Sequence, residues 1–241
     1  MLTVDLERLG VARDDWLLDA GCGGGRHCFG ALERGAHVVG LDLDAPSLAL
    51  ARAGIRDRQR ACAAAGGLRH GGVLRSDVFH LPCPDSSFDR VICSEVMEHV
   101  HDYRAAIREL VRVLRPGGTI GITIPTAITE HLYLRLCREY FESPGGHIRI
   151  FRPRELARAM AAAGLRVYGS SFAHALHSPY WALRALLGLD DESPQATRSY
   201  RRFLIRASSS RGWTRVEHVL DWVWPKSLIL YGTRVASGRS E

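Results

Sequence analysis

Lysine is almost missing from this 241-residue chain: Lys226 is the only one, and arginine carries the rest of the basic side of a +6 net charge. The preference for arginine reflects composition more than function, but its distribution is uneven. Arg198, Arg201, Arg202, Arg206, Arg211 and Arg215 fall between Ser193 and Val216 with no acid among them. That run reads either as a solvated helix face or as a surface for an anionic partner, a substrate phosphate or a membrane. No stretch of about 18 uncharged apolar residues occurs, so the sequence offers no membrane-spanning helix. The opening "MLTVDLERLG" lacks the basic start and apolar core of a signal peptide. Six cysteines (Cys22, Cys28, Cys62, Cys83, Cys93, Cys137) include no C-x-x-C pair. This spacing suits neither a zinc framework nor a disulfide scaffold, and points to reduced thiols in a cytoplasmic protein. No metal-ligand cluster stands out, no repeat recurs, and only "ASSSRG" approaches low complexity.

Two further absences concern the glycine-rich stretch "LLDAGCGGGRHCFGALERGAHVVGLDLD", Leu17 to Asp44. A phosphate-gripping loop needs a lysine and a hydroxyl after its glycines, and neither follows here. The dinucleotide fingerprint needs a third glycine where Arg26 stands, so close packing around a pyrophosphate is not provided for. What is present is an acid at the end of the first apolar run, Asp19, then Gly21, Gly23 and Gly25 alternating. A second acid, Asp42, closes the next apolar run, where it is placed to accept hydrogen bonds from both hydroxyls of a ribose. The expected ligand is adenosine-like and carries no pyrophosphate.

Strand and helix signals alternate along the chain, which predicts a parallel sheet with crossover helices. Strands are expected at Trp16–Ala20, His37–Leu41, Gly72–Arg75, "FDRVICSE", "TIGITIP", "LRVYGSSF" and "SLILYGTR". A helix follows the glycines from Arg26 to Arg34, and Pro46 opens the next. Asp102 caps a helix that turns Ala106, Ile107, Leu110, Val113 and Leu114 inward and Arg104, Arg108, Arg112 and Arg115 outward. "RPGG" at 115–118 is expected to stop it, and "PRELARAMAAAG" forms a helix between Pro153 and Gly164. The fold class is α/β: a Rossmann-like, doubly wound, mostly parallel seven-stranded sheet with an antiparallel last strand and a helical insertion before it.

"LLDAGCGGGR", "VVGLDLD", "SDVFHLPCPDSSFDRVICSEVMEHV" and "ELVRVLRPGGTIGITIP" together resemble the class I S-adenosylmethionine-dependent methyltransferases. Within these the branch is that of the ubiquinone, menaquinone and natural-product enzymes. The likeness covers about Leu17 to Pro125, and "GGHIRIFRPRELARAMAAAGL" extends it to about residue 165. It implies S-adenosyl-L-methionine as cofactor and assigns roles position by position. Asp19 would brace the glycine turn near the methionine ammonium, Gly21 and Gly23 would let the homocysteine part lie on bare backbone, and Asp42 would take the ribose. Asp77 and the Val78 N–H would meet the adenine, while the Ser94 and Glu95 carbonyls would line the methionine moiety. His99 matches a position near the cofactor. His147, in a glycine-bearing loop where related quinone O-methyltransferases carry a similar element, is the candidate general base; its type suits proton abstraction near neutrality. Each of these also has a plainer reading: turn geometry for the glycines, caps for Asp42 and Asp77, a loop tie for His147.

In that family, helices ahead of the first strand usually cover the cofactor; here few residues precede Trp16. The expectation is one methyltransferase domain over 1–241, with 173–225 folded back as a helical cap that shapes the acceptor pocket. This stretch holds Trp181, Trp213, Trp222 and Trp224 beside the arginine run. Such a surface suits a small hydrophobic or amphiphilic acceptor, lipid-like in the extreme, with peripheral membrane contact as one option and oxygen favoured over carbon or nitrogen as the methylated atom. The alternatives are an RNA methyltransferase, motivated by arginines interleaved with aromatics, and a non-catalytic cofactor-binding protein. A nucleic-acid partner is disfavoured because "SEVMEH" stands where base-amine methylators carry an N-P-P-Y-like element.

Overall fold

The computed structural model describes residues 2–64, 66–137, 146–187, 194–208 and 210–236. Seven strands run in the order β3-β2-β1-β4-β5-β7-β6, with β1 at Trp16–Ala20, β2 at His37–Asp42, β3 at Gly71–Arg75, β4 at Phe88–Ser94, β5 at Leu114–Pro125, β6 at Leu165–Ala173 and β7 at Ser227–Arg234. The β1–β2, β2–β3, β1–β4 and β4–β5 pairs are parallel, whereas β7 lies antiparallel to both β5 and β6. The helices are α1 (Arg26–Glu33), α2 (Ala45–Ala64), α3 (Tyr103–Val113), α4 (Ala127–Leu136), α5 (Pro153–Ala162), α6 (His177–Leu187), α7 (Gln195–Ser208) and α8 (Arg211–Leu220).

Strand alternation explains the two cores. Leu18, Val91 and Leu230 project to one face with α3 and α5, joined there by Ile107, Leu110, Leu156 and Met160. Leu17, Ile92 and Tyr231 project to the other, with Cys28, Ala31, Ala51 and Ile55 of α1 and α2. The opening segment supplies Val4, Leu6 and Leu9 to this second core, and the Asp5 N–H bonds Tyr231 Oη at 3.1 Å. Strand order reverses between β1 and β4, so their carboxyl ends diverge into a crevice, the position where open α/β sheets bind ligands.

Two local expectations change. α3 does end before "RPGG", at Val113, but the strand does not wait for "TIGITIP": β5 begins at Leu114 and runs through the four residues. The β4–β5 register shifts between Phe88 and Arg90, and Gly117 at φ +80° with Gly118 packed on Asp89 O absorbs that bulge. Arg112 does not simply point to solvent. Its guanidinium donates to Leu81 O, Cys83 O, Glu109 and Asp85, which staples the loop before β4 to α3. Asp102 caps α3 as expected, accepting from Ala105 N–H at 2.9 Å; such a cap contributes about 1 kcal/mol. "ASSSRG" spans the α7–α8 junction, with residue 209 outside the described residues.

Candidate active site

The glycine turn between β1 and α1 is built from three left-handed residues, Gly21 (φ +77°), Gly23 (φ +49°) and Gly25 (φ +87°). A Cβ on Gly21 would fall 2.2 Å from Val96 Cγ2, whereas one on Gly23 would meet nothing within 4 Å. The first glycine therefore allows tight packing of the turn on the β4 loop, and the second presents bare backbone to open space. The Gly21 and Cys22 N–H groups both donate to Leu41 O (2.7 and 2.9 Å), locking the turn to β2.

Asp19 is fully buried behind this turn. One carboxylate oxygen accepts from Cys28 Sγ at 3.7 Å, and Oδ1 has no hydrogen-bond partner among the described residues. Burial raises its pKa to about 7, with Arg26 opposing. His27 lies alongside: its Nε2 accepts from the Thr3 and Val4 N–H groups, both at 3.3 Å. Those bonds place its proton on Nδ1, 3.8 Å from Asp19 Oδ1. Burial, helped by Arg26, lowers the His27 pKa to about 3, so the pair is not an ion pair at neutral pH.

A cavity of about 310 Å³ opens at the carboxyl ends of β1, β2 and β4, lined among others by Gly21, Asp42, Asp77, Val78, Glu95 and His99. Five of the nine residues singled out in the sequence, Gly21, Asp42, Asp77, Val78 and His99, thus share one lining, and Gly23 is tied to it through Asp42. Asp42 Oδ2 accepts from Gly23 N–H (2.7 Å) and Oδ1 from Asp44 N–H (2.9 Å), so this carboxylate braces the turn and keeps a second lone pair on each oxygen. Asp77 Oδ1 accepts from the Phe79 and His80 N–H groups (2.8 and 2.9 Å), the capping role that was the plainer reading, and Oδ2 belongs to a half-exposed carboxylate at the rim. Ser94 is buried instead: its hydroxyl pairs with Thr123 Oγ1 at 3.0 Å and receives Arg26 at 3.5 Å.

Sequence reasoning missed the polar layer beneath this cavity. Glu95 sits at φ +56°, held by its N–H to Thr123 Oγ1 (3.0 Å). Its carboxylate receives Thr123 Oγ1 (3.1 Å) and Lys226 Nζ (2.8 Å). Burial would raise the Glu95 pKa, but Lys226 and the hydroxyl together bring it below the ordinary value. Lys226 keeps a raised pKa because Glu95, Glu98 and Glu130 outweigh its burial. The only lysine in an arginine-rich chain was the available signal. Glu98 is 1% exposed, and neither of its carboxylate oxygens has a hydrogen-bond partner among the described residues; burial and Glu95 push its carboxyl well above the usual range.

His147 lies between α4 and α5, close to His99. Their rings meet edge to face with centroids 4.8 Å apart, and His99 Nδ1 lies 3.2 Å from Gly146 O. His147 Nδ1 contacts Glu130 Oε2 of α4 at 2.5 Å, with the two side chains 11% and 2% exposed. Glu130 carried no sequence signal. Glu98, His99 and His147 also bring one ligand atom each within 4.8 Å of one another, a grouping that no spacing in the sequence shows.

The residues present fit an adenosine-bearing sulfonium cofactor on two counts. Bare backbone at Gly23 borders open space, and the polar lining is carboxylate and backbone, with no cluster of cations for phosphate. Comparison with known proteins agrees. A family model described as a methyltransferase domain matches residues 18–122. The ubiquinone biosynthesis O-methyltransferase of Aeromonas salmonicida (strain A449) is 30% identical over 187 residues, covering 70% of this chain and 75% of that protein. Among solved structures, a putative methyltransferase from Bacillus halodurans C-125 superposes with a TM-score of 0.61 at 18% identity, over 96% of this chain and 99% of that one. A geranyl diphosphate methyltransferase in complex with S-adenosylmethionine gives 0.59 at 19%, over 95% and 82%. With the glycine turn, the switch-point cavity and a β7 inserted antiparallel beside β5, the chain belongs to the class I S-adenosylmethionine-dependent methyltransferases.

Proposed function

We propose that this enzyme methylates a small hydrophobic or amphiphilic acceptor, at oxygen before carbon or nitrogen, with His147 as the proton-accepting group. When bound, the cofactor supplies an electrophilic methyl on a sulfonium whose departure leaves a neutral thioether, so the protein's work is alignment and proton handling. Gly21 and Gly23 give the backbone surface for the amino-acid part, Asp19 backs it from beneath, and Asp42 uses its remaining lone pairs on the ribose hydroxyls. Asp77 and the Val78 N–H address the adenine. Ser94 and Glu95, fixed by Thr123 and Lys226, hold the end of β4 in place for the methionine portion, and His99 borders the same cavity.

The observation that carries the proton-transfer role is the His147–Glu130 contact. A carboxylate 2.5 Å from Nδ1 keeps the ring proton there and makes Nε2 the basic atom, the base-and-orienter arrangement of activated hydroxyl nucleophiles. The acceptor class is supported by an apolar cavity of about 330 Å³ at the carboxyl end of β5, lined among others by Ile124, Ile128, Phe151, Phe172, Trp222 and Leu228. Trp222 comes from the segment after α8, so the 173–225 insertion contributes to this wall, in keeping with a cap. No helix among the described residues is long and apolar enough to cross a membrane.

Methyl-labelled S-adenosylmethionine, offered with phenols, catechols, carboxylic acids and amines bearing short or isoprenoid tails, tests the reading. Label is expected on the oxygen of a tailed hydroxyl compound, and His147→Ala is expected to lower kcat about 10²-fold or more while cofactor affinity holds. Transfer to amines alone, or an unchanged rate in His147→Ala, overturns it. Retention on RNA that falls steeply with salt, together with methylated RNA, favours the nucleic-acid alternative.

A further inference from the structure

A second group of ligating side chains lies away from the cofactor cavity, where the insertion leaves the sheet. His174 and His177 flank the turn from β6 into α6, and Glu217 faces them from α8. One ring nitrogen from each histidine and a carboxylate oxygen lie within 4.8 Å of one another. We propose that His174, His177 and Glu217 form a site for a divalent transition metal of the zinc type, which fastens α6 and α8 to the end of β6. This site is independent of the acceptor assignment.

Three observations converge on the cluster. First, His174 Nδ1, His177 Nδ1 and Glu217 Oε1 are all buried atoms without a hydrogen-bond partner among the described residues, and groups of this kind normally find one. His177 Nδ1 and Glu217 Oε1 stand 3.6 Å apart, too far for a hydrogen bond. Second, the outer contacts orient the ligands as metal-bound imidazoles are oriented. Thr3 Oγ1 pairs with His174 Nε2 at 2.9 Å, which leaves Nδ1 as that ring's ligating atom. Asp221 Oδ1 accepts from Ala175 N–H at 2.8 Å, and the His177 N–H donates to His174 O at 2.9 Å, so the turn carrying both imidazoles is fixed. Third, His174 occupies the left-handed region at φ +69°, a conformation that costs a non-glycine residue energy and aims its ring inward. Two imidazoles and one carboxylate are a zinc donor set, with bond lengths of about 2.0–2.2 Å and a remaining position for water. Ligand atoms around such an ion stand about 3.4 Å apart, so the observed spacing needs an inward movement of about an ångström. A recess of about 410 Å³, lined by His174, His177, Arg26, Tyr180 and Trp181 among others, gives the ion a way in.

The full chain, stripped with chelator, should be titrated with zinc beside His177→Ala and Glu217→Gln, with binding of the demethylated cofactor product reporting the fold. Each substitution is expected to remove one zinc equivalent or weaken it tenfold or more, and product binding should persist. Unchanged zinc stoichiometry and affinity in both variants overturns the proposal. Because Glu98, His99 and His147 offer a competing set, crystals of the unsubstituted protein grown with zinc decide the location by anomalous scattering, whether or not a variant folds. A peak among His174, His177 and Glu217 supports the site; a peak only beside His99, or none, overturns it.

Discussion

Replacing Lys226 with methionine tests the polar layer beneath the cofactor cavity. The substitution keeps the length of the side chain and removes the cation that faces Glu95 at 2.8 Å. Breaking a buried pair by deleting one partner costs about 3–5 kcal/mol, because the other charge is left without compensation. Here the two side chains keep 14% and 20% of their surface exposed, which argues for the low end, about 3 kcal/mol. For a domain of this size that is a fall in Tm of about 6–12 °C. The pH dependence is specific. In the parent protein Glu95 is held below its ordinary pKa and Lys226 above its own. The pair's stabilisation is therefore present from above the usual carboxylate pKa to below the usual lysine pKa. It fades as pH falls through the depressed Glu95 value or rises through the raised Lys226 value. Without Lys226, burial dominates at Glu95 and its carboxyl becomes harder to ionise, so the variant regains stability relative to the parent as pH drops from 8 toward 5. Urea unfolding at both pH values measures this, and Glu95→Gln on the Lys226→Met background should recover part of the loss. A deficit below about 1 kcal/mol, or one equal at both pH values, would show that the pair behaves as a surface contact and refute the reasoning.

Gly21→Ala should abolish binding of the cofactor's demethylated product by calorimetry and destabilise the fold, since its Cβ falls 2.2 Å from Val96 Cγ2 at φ +77°; Gly23→Ala meets no clash but stands at φ +49°, so it should cost only about 1–2 kcal/mol of backbone strain while weakening binding. Asp19 has its pKa raised to about 7, so the folded chain holds a proton there that the unfolded chain releases near pH 4, and ionised Asp19 costs stability that grows as pH rises between the two values. Three pKa units correspond to at most ~4 kcal/mol, so cofactor-free Asp19→Asn should gain melting temperature over the parent at pH 8 and lose that gain near pH 4; a difference independent of pH contradicts the assignment. Glu130→Gln should lower kcat about 10²-fold with cofactor affinity unchanged, through the loss of the carboxylate that fixes His147; a parental kcat in steady-state assays would separate Glu130 from catalysis.

The cofactor half of the molecule was legible in the sequence for a physical reason. Between Leu17 and Asp44, strand, turn, helix and strand follow within a few residues of each other, and positive φ angles demand glycine where glycine stands. "RPGG" shows the limit of that logic. It does follow the end of α3, but Leu114 already pairs with Phe88 and the four residues bulge out before Thr119 pairs with Arg90, so the strand starts earlier than its own sequence signal. Arg112 looked solvent-facing from helical spacing alone, because its partners Leu81, Cys83 and Asp85 come from a loop far along the chain. The layer of Glu95, Glu98, Glu130 and Lys226 was hidden for the same reason: Lys226 reaches Glu95 across 131 positions. His147 was visible as a residue type in a glycine-bearing loop, but the carboxylate that orients it was not.

The placement of β7 has a bearing on how such a chain is made. Its hydrogen bonds join β5 on one side and β6 on the other, so β6 gains a sheet neighbour only once residues 227–234 have left the ribosome. Until then an edge rich in unpaired peptide groups stands open, and Lys226, just ahead of the strand, is not yet fixed against Glu95. Synthesis from the amino terminus thus assembles the cofactor half first and leaves the sheet's completion to the final segment. A chain cut short just before Ser227 would keep Trp222 and Lys226 but forfeit the strand that follows them and fixes both against the sheet, so the acceptor wall and the Glu95 pair would lose their anchor together.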